Sequence, residues 1–468
     1  MENKMSFLRF VLVLMSLSFL TFSCGDKAED LKEEISRRSE PTITALSPER
    51  GAAGDVVKIT GTGFGTERSK VKVRFSATDA TVIAVTDTEI EVRAPEGFED
   101  RAASVRVFAS SLPSNTLDFH YIGTTAPTIT SVSATCFYNS TVIISGAHFS
   151  LNKEDNIVKF GTIAGTVTEA TATSLTVLAP DLGGATSADI TVTKFDLVSN
   201  AMKIDVDVDQ NKVATYNWTT HTARTGLVYK TGEFALFGST TRRIHILDVT
   251  LNASNTLGIG FSTTNAATVT MCNNYGAWAG INAGYFPLGG TTDKDPYIRI
   301  NGETVQVGHT SGVSVHFANA ALLIHNNVAS VRRLGTSGGT LNQVAAAVPV
   351  SEAENVIVCG PMLIVDGAID IVSPTNPHNT SSTARTGLGV TADGKRVFMV
   401  VVDTGNGVTG VTTEQLAKIL QALGSRNAMN FDGGGSSTMF VKGHGTNGLV
   451  NLPSGGVQRA VRSVVYVK

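Results

Sequence analysis

The sequence predicts a multidomain chain: two all-β immunoglobulin-like sandwiches, then a larger α/β unit on a mixed (α+β) sheet. Three observations carry this. Alternating apolar and polar residues recur in short runs through the first half, as in half-buried antiparallel strands. Four landmarks in that half repeat at about 85 residues, the size of one small sandwich. After residue 208 the strand patterns are interrupted by helical ones, with buried strands on either side of a helix. The expected boundaries are 1–24 for a leader, 25–40 for a tether, 41–123 and 124–208 for the sandwiches, and 209–468 for the larger unit.

The 468 residues suffice for several domains with proper cores. Charged residues make up 16% and the net charge is −3, with no basic stripe, which argues against a nucleic-acid partner. Lys4 and Arg9 precede an apolar run from Phe10 to Phe22, too short to span a bilayer comfortably and right for a signal-peptide core. The run ends at Ser23-Cys24 and resembles a bacterial lipoprotein signal, with Cys24 as the lipidated residue. Thr21 stands where such signals usually carry Leu. Residues Asp26 to Glu40 are charged and poor in apolar side chains, as a disordered tether is. Acidic residues just after the cysteine resemble the export signal of Bacteroidetes surface lipoproteins. The expectation is an outer-membrane lipoprotein, facing the cell surface or the periplasm and monomeric. Cys136, Cys272 and Cys359 lack zinc-site spacing and are expected as buried thiols.

The repeat is explicit. Pro41-Thr-Ile-Thr-Ala-Leu-Ser47 matches Pro127-Thr-Ile-Thr-Ser-Val-Ser133. Gly61-Thr-Gly-Phe64 matches Gly146-Ala-His-Phe149, Val73 and Phe75 match Val158 and Phe160, and Ala94-Pro95 matches Ala179-Pro180. These stretches resemble IPT/TIG modules, which implies spacers or binding platforms. His148 occupies the place usual for Gly or Asn and reads as a solvent-facing turn residue, since no second ligand lies close by.

In the larger unit, Thr413 to Leu423 is the clearest helix. Thr412 and Gln415 form a capping box, Leu416, Ile419, Leu420 and Leu423 make one face, and Gly424 closes it. Val397 to Val402 is apolar on both faces, hence a central strand. Strand, helix and the next strand suggest a βαβ unit. If its strands are parallel neighbours, Asp403 and Asp432 emerge together at one carboxyl edge.

Asn430 to Met439, NFDGGGSSTM, is the stretch most suited to chemistry. Gly433, Gly434 and Gly435 permit positive φ and close ligand approach. Their amides, with the hydroxyls of Ser436, Ser437 and Thr438, could form an anion-binding nest beside Asp432. A glycine-rich hairpin with a polar tip is the bland alternative. Asn282, before Ala283-Gly284, could bind sugar hydroxyls or mark a turn. Arg385 and Arg459 could each hold a phosphate bidentately or serve as surface ion-pair partners. His378 and His444 lie in loops as possible acid–base groups or simply solvated residues.

Taken in order, Gly280 to Phe286, Cys359 to Leu363, Arg385 to Gly389, Val401 to Asp403, Val411 to Leu423, Asn430 to Met439 and Asn451 to Val467 resemble the phosphodiester glycosidase family. The resemblance spans 220–468, with Ala283 and Met362 as departures. It implies hydrolysis of a phosphorylated carbohydrate, an N-acetylglucosamine-1-phosphodiester or similar, to sugar and phosphomonoester. It places Asn282, Arg385, Asp432, Ser436, Ser437, Thr438 and Arg459 in the pocket, with Asp403 at its edge. Asp432 is then nucleophile or base, and Arg385 and Arg459 clamp the phosphate. No cofactor is required on this reading; a rival has Asp403 and Asp432 hold Mg²⁺ or Ca²⁺. A non-catalytic, surface glycan-binding lipoprotein is the alternative function.

Overall fold

The computed structural model describes residues 40–287, 296–308, 318–335 and 340–468. The leader, the tether up to residue 39 and Cys24 lie outside the described residues. Among those described, no helix is long and apolar enough to cross a membrane.

Each N-terminal sandwich packs two sheets over its own core. In the first, Val57, Ile59, Val73, Phe75, Ile90 and Phe119 are buried together; in the second, Val142, Ile144, Val158, Phe160, Leu175 and Ile204 are their counterparts. The repeated glycines have a packing reason. A Cβ on Gly61 would overlap the Thr42 carbonyl and the Phe64 ring, and one on Gly146 would overlap the Thr128 carbonyl and the Phe149 ring. His148 is exposed with φ of 61°, a turn residue as expected. Two ion pairs join the sandwiches: Lys194 to Asp100 at 2.8 Å and Arg50 to Asp155 at 2.8 Å.

The C-terminal unit opens with helix α1 (Val208–Thr215), N-capped by Asp207. Its strands, numbered from its start, form three sheets. The largest runs β1 (Thr219–Arg224), β2 (Leu227–Ala235), β3 (Thr241–Thr250), β9 (Arg396–Val402), β8 (Arg385–Val390), β10 (Asn427–Asn430), β6 (Met362–Val365), β7 (Ala368–Ile369). A second runs β4 (Leu257–Ala266), β12 (Val461–Val467), β5 (Ala279–Asn282), β11 (Met439–Val441). A third, of five strands, lies between 298 and 359.

The large sheet is covered on both faces. On one, Val397, Met399, Val401, Leu388 and Met429 pack against Ile281, Met439 and Val465 of the second sheet and Leu322 and Ile357 of the third. On the other, Phe398, Val400, Val402 and Ala428 pack against Leu416, Ile419 and Leu420 of helix α2 (Thr413–Ala422). That double burial is why Val397 to Val402 reads as apolar throughout. Helix α2 has the capping box expected, Gln415 N to Thr412 Oγ1 at 3.2 Å and Thr412 N to Gln415 Oε1 at 3.1 Å, and Gly424 has φ of 99° just beyond it.

The strand order departs from expectation. β9 and β10 run parallel but are not neighbours, because β8 lies between them, antiparallel to both. Every described strand pairing in this unit is antiparallel, so the domain is an antiparallel β structure with few helices, where an α/β unit on a mixed sheet was expected. The two carboxylates therefore leave the same edge two strand spacings apart, roughly 10 Å. They also point oppositely. Val402 faces α2, so Asp403 turns to the other face, while Phe431 packs away from α2, so Asp432 turns toward it.

Candidate active site

The 430–439 loop is stitched to three neighbours. Phe431 N donates to Thr386 O at 2.8 Å, Asp432 N to Ala283 O at 2.9 Å, and Gly434 N to Ala384 O at 2.8 Å. A Cβ on Gly433 would lie 2.8 Å from Ala384 O, so glycine is required there by close backbone approach. Gly434 has φ of 60° and starts a single 3₁₀ turn to Ser436.

That stitching closes the expected anion nest. Gly433 N donates to Asp432 Oδ1 at 3.0 Å, Ser436 N to Gly433 O, Ser437 N to Gly434 O, and Thr438 N to Asn282 Oδ1 at 3.0 Å. With Gly434 N, five of the six amides from Gly433 to Thr438 are thus taken up by protein acceptors. Ser436, Ser437 and Thr438 are buried, and Ser437 Oγ and Thr438 Oγ1 have no protein partner. The Ser437 and Thr438 hydroxyls face inward, because the chain runs straight from the turn into β11, while Ser436 Oγ meets Arg459 Nη1 at 3.5 Å.

Asn282 is likewise internal. Its Nδ2 donates to Asp432 O at 2.7 Å, and its Oδ1 accepts from Thr386 Oγ1 at 2.8 Å and from Thr438 N. With no exposure, it ties β5, β8 and the loop together and does not reach a sugar. Asp403 is also buried. Its Oδ1 accepts from Asn451 Nδ2 at 3.0 Å, and its Oδ2 from Leu452 N and His245 Nε2, both at 3.1 Å. Asp403 and Asp432 diverge, so they do not share a cation. Among the described residues no group of three or more His, Cys, Asp or Glu is placed to hold a metal.

What does converge is a small polar cluster around Asp432. β8 begins with Arg385 on the α2 face, the face to which Asn430 also points. The Arg385 guanidinium is buried: Nε donates to Val411 O at 3.2 Å, and Nη2 to Ser381 O at 2.9 Å and to His378 O. It is therefore no open fork; only the Nη1 edge remains, 3.5 Å from His378 Nε2. His378 Nε2 lies 3.1 Å from the Tyr285 hydroxyl, which donates to Gly360 O at 2.8 Å. Asn430 Nδ2 reaches the same carbonyl at 3.0 Å, next to the cis Gly360–Pro361 bond. Arg459 is the accessible cation. It is exposed, its Nη1 is 3.5 Å from Ser436 Oγ, and its Nη2 lies against Gly435.

The electrostatics agree that these groups share one environment. Burial raises the Tyr285 phenol well above its usual range; Cys359 and the Asp432 charge push the same way and Arg385 opposes them. Burial lowers Arg385, and the Tyr285 and Asp432 charges counteract it. The Tyr285 phenol is thus held in its neutral form. Burial, aided by the Arg385 cation, pushes the His378 imidazole down to about 4. That is below the value of about 6.5 for a free imidazole, so on acidification the unfolded chain takes up this proton first. Stability is therefore lost as pH falls from about 6.5 to about 4 and levels off below. Melting temperatures of wild type and His378→Gln across that window check this: the wild type should fall more steeply.

Tyr285, Asn430 and the Gly360 carbonyl were not singled out by sequence, although all lie within or beside the motif blocks. Their signal was the Asn and Tyr within otherwise apolar strands and turns. His444 stands apart from the cluster, its ring 5.3 Å from that of His221 and 6.3 Å from that of Tyr229. Cys136, Cys272 and Cys359 are free and buried.

The fold and the edge cluster together define a modular protein: two β-sandwiches followed by an antiparallel domain with one polar cluster at a sheet edge. Residues 275–468 match the phosphodiester glycosidase family, and 41–121 and 127–221 match the IPT/TIG domain; the chain carries one such glycosidase domain after two IPT/TIG domains. No curated protein matches it. Among solved structures it is similar to the zebrafish N-acetylglucosamine-1-phosphodiester α-N-acetylglucosaminidase catalytic domain auto-inhibited by its pro-peptide, at 20% identity and a TM-score of 0.40, covering 54% of this chain and 88% of that one. A hypothetical protein from Synechocystis is similar at 14% identity and 0.37, covering 88% and 94%. The surface glycan-binding protein PbSGBP-B from Prevotella bryantii is similar at 13% and 0.23, covering 92% and 97%.

Proposed function

We propose that the chain hydrolyses a sugar-1-phosphodiester, of the N-acetylglucosamine-1-phosphodiester kind, at the glycosidic C–O bond, releasing sugar and a phosphomonoester. The observation that carries this is the gathering of Asp432, Arg385, Tyr285 and His378 at one sheet edge, with Arg459 over the glycine row. Bond breaking at the anomeric carbon develops positive charge on the sugar, which a carboxylate at Asp432 stabilises as nucleophile or as base for water. The departing phosphate oxygens are met by Arg459, with the buried Arg385 charge behind. Phosphate leaves readily, so the neutral Tyr285 and His378 need only orient.

The test is incubation with N-acetylglucosamine 1-(methyl phosphate) in ¹⁸O-water. Label in the released sugar is the expected result. Label in phosphate would mean P–O cleavage, and intact ligand retained on the protein would favour the glycan-binding alternative. Arg459 gives a finer check. A Cβ at Gly435 would lie 2.8 Å from Arg459 Nη2, a flexible end that can swing away. Gly435→Ala should raise KM about fivefold, as for one exposed charge contact, with kcat and melting temperature little changed.

The proposal extends to placement: a lipid on Cys24 holds the enzyme at the outer membrane. Metabolic labelling with a fatty acid should mark the wild type and not Cys24→Ala.

A further inference from the structure

Behind the glycine row runs a buried chain of hydrogen bonds that the proposed chemistry does not use. It starts at Tyr229 on β2, whose hydroxyl is 2.8 Å from His245 Nδ1 on β3. His245 Nε2 meets Asp403 Oδ2 at the end of β9, and Asp403 Oδ1 accepts from Asn451 Nδ2. Because a carboxylate only accepts, His245 carries its proton on Nε2, and Nδ1 accepts from Tyr229. All four residues are buried.

The chain ends on the catalytic loop. Asn451 Nδ2 also donates to Ser437 O at 3.1 Å, and its Oδ1 accepts from Met439 N at 2.7 Å. Asn451 thus holds the two peptide groups on either side of Thr438. From the opposite side Asn282 holds Thr438 N and Asp432 O. The loop bearing Asp432 is pinned between two asparagines, one fixed by β5 and β8, the other by Asp403 and His245 on the large sheet.

We infer that Asp403, through Asn451, is a positioning residue that sets where the Asp432 carboxylate stands. This rests on the reading of Asp432 as the reacting carboxylate. The chain has a rigid origin, since β3 and β9 are central strands of the sheet. It also has the directionality required, with each donor facing an acceptor. A displacement of about 1 Å at a reacting group costs about 100-fold in rate, so a loop held this way affects turnover more than binding.

The donor pattern supplies the test. In Asp403→Asn the new amide faces the amide of Asn451, and in Asn451→Asp two carboxylates face each other. In the double variant the donor and acceptor of this pair are exchanged, the new amide at position 403 donating to the new carboxylate at position 451, while Ser437 O faces an oxygen and stays without its donor, so the rescue is partial. The oxygen of that amide still accepts from His245 and Leu452. Each single change is expected to lower kcat about 10- to 100-fold with a smaller change in KM, and the double to regain about tenfold over the worse single. Hydrogen exchange at the Met439 amide should quicken in the singles and slow again in the double. Singles that melt earlier but keep wild-type kcat would show a purely structural contact and overturn the inference. If the wild type turns over no phosphodiester, the functional reading fails by itself. Exchange then decides alone: protection lost and regained supports the relay, and unchanged protection refutes it.

Discussion

Asp432→Asn is expected to abolish turnover of a sugar-1-phosphodiester while leaving the fold intact. The backbone contacts that place this residue, its N–H to Ala283 O and its carbonyl to Asn282, do not depend on the side chain. The amide oxygen of Asn can still accept from Gly433 N, as Oδ1 does now. What disappears is the negative charge, which at present acts on Tyr285 and Arg385 alike. A group that must attack the anomeric carbon, or take a proton from water, loses that ability as an amide. The loss in kcat should be about 10²- to 10⁴-fold or more, the scale of removing one acid–base or nucleophilic group. Kinetics with a defined phosphodiester, set beside the melting temperature, measure both halves of the claim. Turnover at the wild-type rate would remove Asp432 from the mechanism.

The parts legible in sequence share a property: their signals are local. Helix α2 is fixed by an apolar face and caps within a dozen residues, and β9 by an apolar run that only burial on both faces explains. The glycine row announced positive φ, which Gly434 has at 60°; the close approach expected there of a ligand is, at Gly433, that of the Ala384 carbonyl. The parts misread depend on residues far away in the chain. β8 enters between β9 and β10 from an earlier segment, and nothing in the strand–helix–strand pattern marks its place. Which way an Asn or Asp points at a strand end depends on that order. Asp403 thus resembled a ligand at the edge and is instead the third member of a buried chain of hydrogen bonds from Tyr229 to Asn451. The open nest failed in part for a related reason: two of the acceptors that close it, Asn282 Oδ1 and Ala384 O, come from β5 and the residue before β8. Arg385 looked like a phosphate fork because sequence shows a charge but not the three carbonyls that surround it.

Asn282 separates the two views of the site most sharply. As a sugar contact, its truncation would weaken binding and leave stability alone. In the structure, Asn282→Ala strips partners from three buried groups at once: the Asp432 carbonyl, the Thr386 hydroxyl and the Thr438 N–H. Each buried group left unpaired costs about 1–3 kcal/mol, so the expected destabilisation is about 3 kcal/mol or more. The Thr386 hydroxyl can rotate toward another acceptor, but the two peptide groups cannot, since both are fixed in the loop. Activity should fall with stability, because the residue that loses its carbonyl partner is Asp432 itself. Asn282→Asp is the informative companion. It keeps both acceptors for Thr386 and Thr438 but sets an oxygen against the Asp432 carbonyl 2.7 Å away, so it should cost nearly as much. Denaturant unfolding of both variants, alongside KM, gives the answer: a raised KM at wild-type stability would return Asn282 to the substrate.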